Sequence, residues 1–247
     1  MGQTSTTKIN KMEKYLQSNI GFFFIGVLLM TLLGFYPTYI SHFPKFEGFS
    51  WVYHFHAFLA TLWIVMLISQ AFLIRRKKYN LHRKIGKVSY FVIPFLLLSF
   101  FLIAKATYFK NINIKHLSET DALAYLSRSG LRDILYMAIL YSLAIMYKSR
   151  TSWHLRFFAC TGLTVLGPGL GRFAFANFSP EVAGATMGIF MLLVPIIWLI
   201  VDIIKKKSPI PLLVFIAITI SAIYLDGCGH SAWWQTFAKW FADTFFI

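Results

Sequence analysis

The chain has 247 residues, of which 57% are hydrophobic and 18% aromatic, whereas only 13% are charged. This composition excludes an ordinary soluble domain, because such domains carry about 25% charged residues and interrupt their apolar runs more often. The formal net charge of +15 would suit a nucleic-acid-binding protein, but the distribution of the charges along the chain indicates another role.

Seven apolar runs approach or exceed the length of a membrane-spanning helix, which is about 20 residues. The sequence therefore predicts an all-α integral membrane protein with a seven-helix domain over residues 20–225. Residues 1–19 form a polar tail before this domain, and residues 226–247 form a second tail after it. The predicted spans cover residues 20–40, 51–74, 88–108, 131–147, 157–178, 184–204 and 210–225.

The charged residues divide unequally between the two sides of such a domain. The side that holds the N-terminus carries 16 basic residues against Glu13 and Asp202, a net charge of +14, whereas the other side has a net charge of −1. Basic residues accumulate on the cytoplasmic side of membrane proteins. The sequence thus predicts a multi-pass protein of the cell inner (plasma) membrane, with its N-terminus in the cytoplasm and its C-terminus outside. The basic charge then faces anionic lipid head groups, and no nucleic-acid partner is expected.

The second run begins YHFHAFLATLW and carries three polar or amphipathic side chains at intervals of seven residues. His56, Trp63 and Gln70 therefore share one stripe of a helix, which predicts that they face the interior of the bundle. His54 points about 200° away from His56 on a regular helix, so only one of the two can face inward. Gln70 is expected to hydrogen-bond another helix.

His82 and His154 lie on the predicted cytoplasmic side, just before the third and the fifth spans. One interpretation is structural, with both histidines among basic residues at the lipid head groups. The other is that they meet across the bundle as axial ligands of a cofactor. Neutral imidazole binds both haem iron and zinc, and facing helices of a bundle are a common place for such sites.

The fifth span contains the segment LGPGLGR. Pro168 predicts a kink in this helix. Gly167, Gly169 and Gly171 permit either close packing against another helix or space beside a bulky ligand.

Arg172 lies about two turns from the outer end of the same span, where its side chain can reach outward to the interface. Alternatively, Arg172 and Lys105 line an outward cavity that receives an anionic or lipid-like small molecule, with a carboxylate, a phosphate or a haem propionate as its charged group. Asp133 and Glu181 are possible structural partners that would neutralise Arg172 instead.

The segment LDGCGH after the last span places Asp226, Cys228 and His230 at alternating positions. All three side-chain types bind zinc, and His54 or His56 could complete such a site near the outer face. The competing interpretation is a glycine-rich turn in which the pattern arose by chance.

Two shorter segments outside the spans predict helices. The segment SETDALAYL begins with Ser118 as an N-cap and has acidic residues in its first turn. In the C-terminal tail, Trp233, Phe237, Trp240 and Phe241 share one helical face, which predicts an amphipathic helix lying in the outer interface.

The segment from His56 to His82 resembles the ascorbate-dependent transmembrane b-type cytochromes. That resemblance implies haem b at two membrane faces, with His56 as the first ligand, His82 as the second and His154 as the fourth. The third ligand is missing, because the corresponding segment reads LRDILYMAILY. The comparison therefore allows an inner haem site, whereas the outer one lacks a ligand.

The chain also resembles uncharacterised bacterial multi-pass membrane proteins that share an HxH…W…Q…LHRxxG segment, followed by an HxR segment before a later span. This resemblance extends from His54 to Arg172 and implies no established activity.

Three functions remain open from the sequence. The first is a redox protein with a histidine-ligated cofactor, haem b, that involves His56, His82, His154 and Arg172. The second is an intramembrane zinc-dependent hydrolase near the outer face, similar in span number and orientation to the adiponectin-receptor type. The third is a lipid-binding or transport protein in which every histidine is structural. The sequence decides neither whether the protein is an enzyme nor its oligomeric state.

Overall fold

The computed structural model describes residues 11–128 and 130–246, and its regular elements within these ranges are helices. This confirms the all-α class. Residues 1–10, the first half of the predicted polar tail, lie outside the described residues. The helices are α1 (Lys11–Phe35), α2 (Trp51–Arg75), α3 (Tyr79–Asn113), α4 (Glu119–Tyr125), α5 (Leu131–Met146), α6 (Thr151–Asn177), α7 (Pro180–Ile204), α8 (Ile210–Gly227) and α9 (Ala232–Phe245).

Five of these helices are long and apolar enough to cross a membrane, and the protein is therefore a helical membrane protein. Four of the five are the whole of α2, α3, α7 and α8, and the fifth is the segment Ser18–Phe35 of α1. The helix α1 begins at Lys11, before the start of the first predicted span, and ends at Phe35, before its predicted end.

The remaining two predicted spans correspond to α5 and α6. With 16 residues, α5 is about 24 Å long, which is shorter than the hydrocarbon thickness of about 30 Å. With 27 residues α6 is long enough, but polar and small residues lower its hydropathy. Its composition agrees with its position, because α6 packs against α1, α2, α5, α7 and α8 and lies in the centre of the bundle.

Glycines allow α1 and α6 to approach each other closely. A Cβ atom on Gly169 of α6 would lie 2.8 Å from the Cα of Thr31 on α1, and a Cβ atom on Gly34 would overlap the backbone of Gly169. Close packing, one of the two roles expected for the glycines around Pro168, is therefore the observed role of Gly169. The helix continues through Pro168 to Asn177.

The two ends of the bundle differ in charge. Residues 76–78, 148–150 and 205–207 connect or follow helices at one end, called the basic end below. At the opposite end, α4 and α9 pack against each other beside α3. Ser118 caps α4 by accepting a hydrogen bond from the Asp121 N–H at 3.1 Å, as the sequence predicts.

Candidate functional site

His54 and His56 follow each other in the first turns of α2 but have different partners. Nδ1 of His54 lies 2.6 Å from the hydroxyl of Tyr39, in the connection between α1 and α2. Nδ1 of His56 lies 3.0 Å from Oγ of Ser99 on α3. As expected from their angular separation, only His56 faces another helix of the bundle.

The hydrogen bond of His56 has a defined direction. The Ser99 hydroxyl donates its proton to the Leu96 carbonyl at 2.7 Å. Its oxygen therefore accepts from Nδ1–H of His56. In the neutral ring, this leaves the lone pair on Nε2.

Gln70 provides the expected interhelical contact at the basic end. Its side-chain oxygen accepts from the Gly86 N–H at 3.0 Å, and its nitrogen donates to the His82 carbonyl at 3.1 Å and contacts Nδ1 of His82. One side chain of α2 thus holds both the backbone and the half-buried imidazole of α3.

His154 lies at the same end, in the first turn of α6. Its Nδ1 is 2.8 Å from the Ala144 carbonyl on α5, and because a carbonyl only accepts, Nδ1 carries the proton. The ring of His154 also packs edge-on against Phe158 at a centroid distance of 4.7 Å. His82 and His154 thus lie at the same end of the bundle, each in the first turn of its helix.

A common feature of His56, His82 and His154 is that each uses Nδ1 for its contact with the protein. Nε2 of these rings makes no hydrogen bond to any group in residues 11–128 and 130–246. Histidines that bind metals typically donate a hydrogen bond from one ring nitrogen and ligate through the other. His56 and His154 have this arrangement, whereas Nδ1 of His82 accepts from the Gln70 amide, so the proton of its neutral ring is on Nε2.

Aromatic side chains connect the basic end to the middle of the bundle. Trp63 is 1% exposed, and its ring lies 5.9 Å from that of Tyr141 and 6.0 Å from that of Phe158. Tyr141 in turn hydrogen-bonds Ser89 of α3 at 2.7 Å. The indole Nε1 of Trp63 is buried without a hydrogen-bond partner among the described residues.

A small cavity of about 70 Å³ lies beside His56, in the half of the bundle away from the basic end. Such a volume suits one or two water molecules, at about 30 Å³ each, whereas cofactor pockets measure about 300–1,000 Å³. His56 as a haem ligand therefore does not fit this cavity. Its lining comprises Thr31, Phe35, His56, Ala60, Phe100, Asp133, Tyr136, Met137, Thr164, Val165 and Pro168.

Arg172 lies beside this cavity without lining it. Its guanidinium group stacks over the ring of Phe35 at 4.2 Å and donates to the Pro168 carbonyl at 3.2 Å. Asp133, one of its expected partners, instead accepts from the Gly130 N–H at 3.2 Å and lies 3.4 Å from Nε of Arg132.

The structure does not assemble the five predicted zinc ligands, which are His54, His56, Asp226, Cys228 and His230. Asp226 pairs with Arg132, and Nε2 of His230 lies 3.8 Å from Asp121. Burial raises the pKa of the Tyr39 hydroxyl, so the group that hydrogen-bonds His54 is a neutral phenol. In the part of the chain that the structure describes, no group of three or more His, Cys, Asp or Glu side chains could hold a metal ion.

One buried ion pair at the basic end was not predicted from the sequence. Arg156 and Asp202 were counted among the charges of the cytoplasmic side, but both side chains are 0% exposed and bind each other. Arg156 also donates to the carbonyl of Ser152 at 2.9 Å and lies 5.7 Å from the Trp198 ring centre. The available signal was an arginine two positions after His154, within the first two turns of an otherwise apolar helix.

This chain matches no protein-family model, no curated protein and no solved structure.

Proposed function

We propose that the chain is a seven-span protein of the plasma membrane, with its N-terminus in the cytoplasm and its C-terminus outside. The five span-length helices support a multi-pass arrangement, and α5 and α6 run between them as the fourth and fifth spans. The concentration of basic residues at one end supports the orientation.

We further propose that this protein binds a histidine-ligated cofactor at the basic end and carries electrons through it. The cofactor that we propose is b-type haem, with His82 and His154 as its axial ligands. The observation that carries the proposal is that His82 of α3 and His154 of α6 lie at the same end of the bundle, and that Nδ1–H of His154 donates to the Ala144 carbonyl, which leaves the lone pair on Nε2 for a metal.

The residues around the pair fit this cofactor in two respects. The Ala144 carbonyl accepts from Nδ1–H of His154, as the partners of ligating histidines do. Gln70 contacts Nδ1 of His82, and it would present its amide oxygen to Nδ1–H when Nε2 binds iron. Arg83 and Lys148 interact electrostatically with His82 and His154 respectively, and such cations would offset the negative charge of haem propionates. A bound haem supplies a one-electron couple, and the contribution of the chain is to hold and orient it.

The first test is an absorption spectrum of the protein purified in detergent after expression with haem supplied, oxidised and then reduced with dithionite. We expect a Soret band that shifts on reduction and that is lost in His82→Ala and in His154→Ala. His230→Ala serves as the matched control, because this exposed histidine lies at the other end of the bundle. A Soret band would remain in His230→Ala.

The proposal is overturned if the native protein is colourless, or if its spectrum survives both substitutions in chains that elute as folded protein. Metal analysis of the same sample separates a zinc protein from one that binds no metal.

A further inference from the structure

The cavity of about 70 Å³ beside His56 is lined by polar side chains from four helices. These are Thr31 of α1, His56 of α2, Asp133 and Tyr136 of α5, and Thr164 of α6. The chemistry of a ligand in this cavity depends on which of these groups can still donate a proton and which can only accept one.

The two threonines have no hydroxyl proton left for the cavity. The hydroxyl of Thr31 donates to the Val27 carbonyl at 2.8 Å, one turn earlier on α1. The hydroxyl of Thr164 donates to the Thr161 carbonyl at 2.8 Å on α6. A hydroxyl group has a single proton and two lone pairs, so both oxygens can only accept a further hydrogen bond.

Tyr136 and Pro168 contribute further acceptors. The Ser221 hydroxyl donates to the Ile218 carbonyl at 2.8 Å, so it accepts from the Tyr136 hydroxyl, which lies 2.8 Å away. Pro168 also lines the cavity and has no N–H. The Thr164 carbonyl, four residues before it, therefore lacks the donor that a regular helix would provide.

His56 and Asp133 are acceptors as well. His56 donates Nδ1–H to Ser99, and its Nε2 has no hydrogen-bond partner within the described ranges. Asp133 accepts from the Gly130 N–H at 3.2 Å and from Nε of Arg132 at 3.4 Å. A carboxylate has about four positions for hydrogen bonds, so about two remain. The polar side chains that line this cavity thus accept hydrogen bonds and have none to donate to a ligand.

We propose that this cavity binds an ammonium ion. Ammonium donates through every N–H and has no lone pair, whereas a water molecule would need donors for its own lone pairs. The ion is about the size of a water molecule, which occupies about 30 Å³, and it therefore fits the cavity. Hard metal cations prefer oxygen ligands alone, whereas this lining also offers a ring nitrogen and the aromatic rings of Phe35 and Phe100, which attract an ammonium group.

The charged residues around the cavity determine how tightly it holds a cation. Asp133 supplies the counter-charge, and its neighbour Arg132 also pairs with Asp226, so one guanidinium group is shared by two carboxylates. Arg172 opposes the ion, because it lies close enough to His56 to interact with it electrostatically. The Asp133 side chain is 28% exposed, which gives the ion access from the surface.

The test compares thermal unfolding of the full chain in detergent with ammonium, potassium or tetramethylammonium chloride, at equal concentration and neutral pH. A ligand that binds only the folded protein raises its unfolding temperature. We expect this rise with ammonium alone, because neither of the other cations has an N–H donor. No effect of ammonium, or an equal effect of potassium, overturns the proposal. The site is separate from the proposed haem site, and the test does not depend on haem.

Substitutions in the lining test the acceptors individually. His56→Phe and Asp133→Asn should each raise the ammonium concentration that gives the same rise by about tenfold or more, as expected for loss of a hydrogen bond to a charged group. His54→Phe is the matched control, because His54 lies on the same helix but contacts Tyr39 instead. Arg172→Gln should lower the required concentration, since it removes the opposing charge. An unchanged response in both His56→Phe and Asp133→Asn, in chains that elute as folded protein, overturns the proposal.

Discussion

Arg156 of α6 and Asp202 of α7 form a two-pronged ion pair, with Nε 2.5 Å from Oδ2 and Nη2 2.6 Å from Oδ1. Both side chains are completely buried, and the pair lies at the basic end of the bundle, where Arg156 is two residues from His154. In a low-dielectric interior, either charge without the other would be strongly unfavourable. The pair therefore fixes the start of α6 against the end of α7.

Asp202→Asn should lower the free energy of unfolding by about 3–5 kcal/mol, because it leaves the Arg156 charge buried without its counter-charge. Thermal unfolding in detergent measures this loss. Replacing both residues, in Arg156→Met with Asp202→Leu, should restore most of it, since hydrophobic residues of similar size can substitute for a buried ion pair. Glu119→Gln breaks the half-exposed pair with Lys239 and is the control. A loss in Asp202→Asn no greater than in this control would contradict the argument.

Gly169→Ala should destabilise the contact between α1 and α6, because the added Cβ would lie 2.8 Å from the Cα of Thr31. Overpacking of this kind costs about 1–3 kcal/mol. The matched control is Gly26→Ala on α1, where nothing lies within 4 Å of the new Cβ. This control should be neutral or slightly stabilising, since alanine favours a helix over glycine by about 1 kcal/mol. If both variants unfold at the same temperature, the two helices do not need the glycine.

Gln70→Ala tests whether the amide positions His82, as the haem proposal requires. Loss of a partner that orients a ligating histidine typically weakens binding of the group by about 10–100-fold. We therefore expect weaker haem retention and an altered reduction potential in Gln70→Ala, while His82→Ala loses the Soret band altogether. Thr61→Ala, at an exposed position on α2, provides the control. A Gln70→Ala protein with native retention and potential would show that the amide contact to His82 is only structural.

Ala60→Val tests the cavity beside His56. Ala60 lines this cavity of about 70 Å³, so two added methyl groups find space there and should change the free energy of unfolding by less than about 1 kcal/mol. Ala159→Val, in a fully buried position of the core, should cost about 1–3 kcal/mol. Thermal unfolding of the two variants under identical detergent conditions gives the comparison, and an equal loss in both would mean that the cavity is not usable space.

Local features of this protein followed from the sequence because they depend on neighbouring residues. The apolar runs predicted helices to within a few residues at most ends. They did so because the mean hydropathy of a window of residues indicates whether a helix lies in lipid or in water. Ser118 was identified as an N-cap because a cap is made with the N–H groups two or three residues further on. The angle of about 200° around the helix axis between the side chains of His54 and His56 likewise follows from helix geometry alone.

The partners of the polar residues were decided by tertiary structure. Gln70 was expected to bond another helix, but periodicity could not identify His82 and Gly86 as the groups that it meets. Arg156 and Asp202 are 46 positions apart. They form a buried ion pair only because α6 packs against α7.

The same distinction separates the two sites that the sequence proposed. The basic-end histidines lie at the same end of the bundle because two short interhelical connections end there. The outer zinc candidates have other partners, Tyr39, Ser99, Arg132 and Asp121 among them. A sequence pattern lists the side chains that can bind a ligand, but the free energy of burial selects helix faces and so decides which of those side chains come together.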